Sequence, residues 1–161
     1  MRGWTLRAAS CYHRARTGPA AMKRTLAYRF WERQVIVLVH TKDSPGEDEW
    51  KAYCDDARKW CAQVRGILVL SEGGGPNSVQ RGELEAALDH PDYKAKTAVV
   101  TLSRVARGIV TAISWFTPKI KAFSTLQIPA ALEYLEVPPR SHDSIGATIK
   151  GLRTELQLPP E

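Results

Sequence analysis

The chain has no acidic residue before Glu32, only three cysteines, and no apolar run approaching the roughly 20 residues that a bilayer-spanning helix needs. The short signatures of common sites are missing too. No Cys-x-x-Cys or Cys/His spacing suggests zinc, no Gly-Lys-Ser/Thr follows the glycine run, and neither Gly-x-Gly-x-x-Gly nor a Gly-x-Ser-x-Gly elbow occurs. Cys11, Cys54 and Cys61 cannot all pair within one chain, which fits a reducing, cytoplasmic compartment. Cys54 and Cys61 stand seven apart on a helical pattern, about 10 Å along the axis, too far for a disulfide and suited to small apolar packing.

What is present is enough for one ordinary core, since 43% of the 161 residues are hydrophobic. Of the 23 basic residues, Arg2, Arg7, Arg14, Arg16, Lys23 and Arg24 crowd the first 24 positions; beyond them 17 face 17 acids. The high pI therefore belongs to the N-terminal tail, and the main domain has no global electrostatic reason to bind nucleic acid. For residues 1–23 three readings stand side by side: a start at Met22, a disordered basic arm, or a targeting peptide.

Leu26–Trp31 and Gln34–Val39 read as two strands joined by a tight turn, the second so continuously aliphatic that it suits a strand covered on both faces. Ser44-Pro-Gly-Glu47 combines an N-cap residue, proline at the first helical position and glutamate at the third. The helix it opens carries Trp50, Cys54, Ala57, Cys61 and Val64 on one stripe and is expected to end at Gly66. Ile67–Leu70 follows as a buried strand. Val79, Leu84, Ala87 and Leu88 predict a shorter helix that stops at His90-Pro91. Lys96–Leu102 is a further strand, with Ser103 capping a helix whose Val105, Ile109, Ala112, Ile113 and Phe116 face inward until Thr117-Pro118 breaks it. Ile120–Phe123 is the last strand. A helix from near Thr125 holds Pro129 in its first turn, and a final helix, capped by Ser141, presents Ile145, Ile149, Leu152 and Leu156. Strands and helices alternating after a hairpin predict an α/β fold with a mixed sheet of four to five strands, covered by four to five helices.

The stretch Gly66–Ser78 is the best candidate site, a buried strand running into a glycine-rich loop that starts a helix. Ser71, Gly73, Gly74, Gly75, Asn77 and Ser78 form a partner- or anion-binding loop in this reading. With Asn77 or Ser78 as cap, backbone amides and the helix dipole favour an anion or a phosphorylated side chain. The glycines permit conformations closed to other residues and a close backbone approach. A flexible connection with an ordinary cap accounts for the same residues. His40, Asp43 and Ser44 are the residue types of a hydrolase triad, but neighbours after one strand do not converge as such groups must. His13, His90 and His142 have no ligand spacing. Asp55-Asp56 and Glu83/Glu85 read as solvated helix faces. No catalytic residue, metal site or cofactor is assigned.

From about Tyr28 to Val137 the pattern resembles the STAS superfamily, particularly its single-domain SpoIIAA-like branch. The residues that carry the likeness are the opening hairpin, Ala98-Val-Val-Thr-Leu102 running into residues 103–116, and Ile120-Lys-Ala-Phe123 followed by Ala130-Ala-Leu-Glu-Tyr-Leu135. Flavodoxin-like receiver and TIR-type domains are the nearest competing architectures, and the hairpin speaks against both. The resemblance implies a non-catalytic, cytoplasmic regulatory domain that binds a protein partner, a regulator or kinase-like, at the start of the helix near Ser78. In anti-sigma-factor antagonists that helix opens with an Asp-Ser pair whose serine is phosphorylated to switch binding off. Asn77-Ser78 stands at the corresponding place, which makes Ser78 the candidate phosphosite. The acid is replaced by its amide here, the glycine expected soon after is absent, and Gly-Gly-Gly-Pro precedes the pair. SpoIIAA-like domains also resemble CRAL-TRIO lipid-binding domains, so a small apolar ligand near Trp31 or Trp115-Phe116 is the alternative. The expected organisation is a basic tail (1–23), a SpoIIAA-like domain (24–137) and a C-terminal helix packed on or appended to it (138–161).

Overall fold

The computed structural model describes residues 23–32, 34–114 and 119–159. Leu26–Trp31 (β1) and Val35–His40 (β2) form the expected hairpin, antiparallel from the Leu26–His40 pair to the Trp31–Val35 pair. The chain continues through α1 (Glu47–Trp60), β3 (Gly66–Ser71), α2 (Ser78–Ala87), β4 (Lys96–Thr101), α3 (Arg104–Ser114) and β5 (Ile120–Phe123). It ends in α4 (Ile128–Tyr134) and α5 (His142–Glu155), each led in by a short 3₁₀ turn. The fold is α/β, with a mixed five-stranded sheet in the order β1-β2-β3-β4-β5; β1 is antiparallel to β2 and every later pair is parallel.

That order follows from the aliphatic runs. All six residues of β2 are buried, because helices cover both faces. Val35, Val37 and Val39 join Leu68, Leu70, Ala98 and Val100 under α4 and α5, which contribute Ala131, Leu132, Leu135, Ile145, Ile149, Leu152 and Leu156. Ile36 and Leu38, on the alternate face, pack with Ile67 under Trp50, Tyr53, Cys54 and Ala57 of α1 and Ala87 of α2. At about 1.5–3 kcal/mol for each large side chain buried, these two layers dominate the stabilisation.

Several boundaries differ from expectation. Ser44 is exposed and is not the cap of α1. Gly46 occupies that position without a side-chain bond, and its carbonyl accepts the first helical hydrogen bond from Trp50, 2.9 Å away. The carbonyl of Pro45 accepts from the buried Gln80 side chain at 2.8 Å, and the helix begins two residues beyond it, at Glu47. At its other end α1 stops at Trp60, and Gly66 opens β3 instead of closing the helix. Gly66 packs closely there, since a Cβ would approach the Leu135 side chain to 3.3 Å. Cys61 and Val64 are buried as expected, from the turn after α1, and both Cys54 and Cys61 are free thiols. Val79 and Val105 point to solvent rather than inward, and Leu102 lies exposed beyond the end of β4. Ser141 precedes α5 without a capping side-chain bond. The tail, residues 115–118, and the side chains of Ile109, Ala112 and Ile113 lie outside the described residues.

Candidate functional site

The parallel strands deliver their carboxyl ends to one rim of the sheet, and three adjacent strands leave it alike. In register, His40 pairs with Ser71 and Ser71 with Thr101. The hydroxyl at or just past each strand end accepts the amide two residues on: Thr41 from Asp43 (3.2 Å), Ser71 from Gly73 (3.0 Å) and Thr101 from Ser103 (3.2 Å). Such side-chain turns bend the backbone out of the ladder and toward the next helix. Ser71 also donates to the carbonyl of Gly74 at 2.6 Å, which closes the glycine loop upon itself.

The three glycines of that loop are not equivalent. Gly73 has a φ of +121°, a conformation that side-chain-bearing residues avoid. Gly74 is needed for space, since a Cβ there would lie 2.5 Å from the Thr41 carbonyl oxygen and 2.6 Å from the Lys42 carbonyl group. Gly75 has open space around it. The close approach that the glycines permit is thus, at Gly74, to the chain's own β2–α1 loop.

Asn77 is the N-cap of α2 and Ser78 its first residue. The Asn77 side chain accepts from the Gln80 amide at 2.9 Å, and the Asn77 amide donates to Gln80 Oε1 at 3.0 Å, a reciprocal capping box. Gln80 does more. It is buried, its Nε2 donates to the Pro45 carbonyl, and its own carbonyl accepts the Trp50 indole N–H at 2.8 Å. One glutamine therefore ties the loop before α2 to the start of α1. The Asn-x-x-Gln spacing at 77–80 is a capping signature that could have revealed it, but the residue hides within the apolar stripe Gln80, Leu84, Ala87, Leu88.

Beside this hub His40 is buried, its ring stacked on Trp50 with centroids 6.4 Å apart, and its Nδ1 has no hydrogen-bond partner among the described residues. Burial pulls its pKa down to about 4, against a smaller upward pull from Glu49, so the imidazole is neutral at pH 7. On the opposite face Arg153, also buried, pairs with Glu72 at 2.5 Å and fastens α5 to the residue after β3. Burial and the nearby Glu83 push the Cys54 thiol up to about 11, which keeps it protonated.

What reaches solvent at this rim is apolar as well as polar. Asn77 and Ser78 are exposed. Among the described residues the exposed large hydrophobics are Val79, Leu102, Val105 and Leu126. All four fall where the chain leaves β3, β4 and β5 for the next element: the first turn of α2, the end of β4, the first turn of α3, and the 3₁₀ turn after β5. Two cavities lie elsewhere. One, of about 350 Å³, opens between β1 and α5, beside Arg29, Trp31 and Glu155; the other, of about 210 Å³, lies at the amino ends of the strands, beside Arg65, Lys94 and Lys96. Among the described residues no group of three or more His, Cys, Asp or Glu side chains could hold a metal ion, and no helix is long and apolar enough to cross a membrane. No protein-family model matches the chain, and no curated protein matches it.

Proposed function

We propose that this protein is a non-catalytic regulatory domain that binds another protein through the rim at the carboxyl ends of β3, β4 and β5. The observation that carries the proposal is the gathering of Val79, Leu102, Val105 and Leu126 at that rim, exposed by 69%, 69%, 74% and 92%. Large apolar side chains exposed along one rim are a mark of a docking surface. The resemblance to SpoIIAA-like STAS domains supports the same rim, and with it a cytoplasmic setting and a kinase-like or regulatory partner.

Ser78 is the switch in this reading. It is exposed at the first position of α2, next to Val79, and the amides of Ser78 and Val79 are first-turn donors that a helix leaves without an internal acceptor. A phosphate there gains from those donors and from the dipole. The test is a pull-down with Asn77→Asp/Ser78→Glu and, separately, with Val79→Asp/Leu126→Asp. Both pairs lie on exposed positions and should leave the melting temperature nearly unchanged. Loss or exchange of the captured partner is expected, and an unaltered partner set for both would sink the proposal. A second reading, a carrier of a small apolar ligand, draws on the 350 Å³ cavity beside Trp31. Native mass spectrometry of protein from fresh extract decides it, a bare mass counting against.

A further inference from the structure

Between Asp92 and Glu133 the chain contains no acidic residue and six basic ones: Lys94, Lys96, Arg104, Arg107, Lys119 and Lys121. The fold keeps this stretch together, because β4, α3 and β5 are neighbours and β5 is the outermost strand. Within it Lys94, Lys96, Lys119 and Lys121 lie at or near the amino ends of β4 and β5, whereas Arg104 and Arg107 stand at the carboxyl-end rim, where α3 begins. Two of the six are occupied within the fold: Lys96 pairs with Glu136 at 2.5 Å, and the Lys121 ammonium lies 4.6 Å from the centre of the Tyr134 ring. Arg104 and Arg107 have no ion pair among the described residues. They stand three apart in the opening of α3 and so share a face. Leu102, Val105 and Leu126 are exposed beside them in the chain or on the adjacent strand end.

We infer that the partner's contact segment is acidic and carries large apolar side chains, and that it docks on the β4–α3–β5 side of the rim. The inference rests on the docking proposal above and adds the chemistry of the partner. Unpaired arginines steer and hold carboxylates, while the exposed leucines and valine require anchors that can bury them. A nucleic-acid backbone would satisfy the cations and leave the apolar side chains in water. A lipid surface takes a continuous apolar face on one helix, whereas these side chains come from three separate elements.

The test uses the full chain and dye-labelled probes read by fluorescence anisotropy: a Glu/Asp peptide with leucine or phenylalanine every third or fourth residue, the same peptide with lysine for its acids, the acidic peptide with serine for its apolar residues, a single-stranded oligonucleotide, and vesicles containing an anionic lipid. The first probe should bind, about tenfold or more weaker in 300 mM than in 50 mM salt, and weaker again by a similar factor in Arg104→Glu/Arg107→Glu and in Val105→Ser/Leu126→Ser. Glutamate in a first helical turn suits the dipole, so the charge-reversed protein should keep its circular dichroism and melting temperature. Equal binding of the lysine peptide, indifference to the charge reversal, or preference for the oligonucleotide or the vesicles overturns the inference. Should the partner captured from extract depend on Val79 and Leu126 but not on salt or on the two arginines, the acidic chemistry fails while the docking proposal stands. Loss of dependence on all of them removes both.

Discussion

His40 sets an acid limit on the fold. Its neutral ring is buried against Trp50, and its pKa falls from 6.5 in an exposed chain to about 4. The unfolded chain therefore binds this proton first as the pH drops. The stabilisation is complete above pH 6.5, declines through the interval down to about 4, and changes no further below it. At 1.36 kcal/mol per pH unit the whole interval is worth about 3 kcal/mol, and about 2 kcal/mol is lost by pH 5. That is a substantial share of the 5–15 kcal/mol typical of a domain. Glu49 eases the protonation, and its carboxylate is already engaged by the amide and hydroxyl of Thr25. The assay is urea unfolding of the wild type and of His40→Phe between pH 7.5 and 5.0, a range that largely precedes carboxylate titration. Phenylalanine keeps a ring on Trp50 and binds no proton, so the variant should gain about 2 kcal/mol on the wild type across that range. A stability difference between the two that is the same at pH 7.5 and 5.0 would refute the reasoning.

The glycine loop should answer alanine differently at each position in thermal or urea melts: Gly74→Ala destabilises by about 1–3 kcal/mol through collision with the Thr41–Lys42 backbone. Gly73→Ala costs about 1 kcal/mol through its positive φ, and Gly75→Ala is neutral or stabilises by about 0.5 kcal/mol. Gln80→Ala leaves the Pro45 carbonyl and the Asn77 amide without their partner and should cost about 2–3 kcal/mol, with amide hydrogen exchange accelerating in both residues 44–47 and 76–80. Cys54, protonated and buried, should react with a disulfide reagent at the rate of unfolding; fast labelling at pH 8 in the folded protein would contradict the placement.

The central strands were legible because β2 and β3 are nearly unbroken aliphatic runs, while β1 and β5 mix aliphatic, aromatic and basic residues in short stretches. β1 and β5 match the reading residue for residue, and β2 to one position. The errors have a common physical origin in partners distant along the chain. Ser44 carries every local mark of a cap, but the helix starts at Glu47, and the carbonyl next to Ser44 is bonded to Gln80, 36 residues on. In α2 the buried stripe runs through Gln80, and reading only apolar letters moved it onto Val79, which is exposed. Val105 failed similarly, because apolar periodicity marks what a helix can bury and not whether another element arrives to cover it. The site suffered most from summation: seventeen charges against seventeen read as neutrality, whereas the topology sorts them by element.

The loop around Ser78 is held by Gly74, the Ser71 hydroxyl and three bonds through the Gln80 side chain and carbonyl. A modification at Ser78 would therefore act by changing the charge of the rim and not by reshaping it. Phosphate adds about 1.5–2 negative charges at the end of the strand next to β4, where α3 begins with Arg104. Out to the β5 side of the proposed docking surface, two inter-strand spacings or about 10 Å from β3, each unit charge is worth about 0.4 kcal/mol in water against another. Against an acidic segment bearing several charges this amounts to about 1 kcal/mol, or about fivefold in affinity. On the proposed acidic partner such a phosphate would switch binding down, whereas it would strengthen a basic partner's hold. Ser78→Glu, compared with Ser78→Gln as its uncharged counterpart, should thus weaken the acidic peptide by about two- to fivefold at 50 mM salt. At 300 mM the difference should nearly vanish. The helix dipole stabilises the glutamate at this position, so a lower melting temperature cannot account for the loss. A weakening that salt leaves untouched, or one that Ser78→Gln reproduces, would mean that the loop does move.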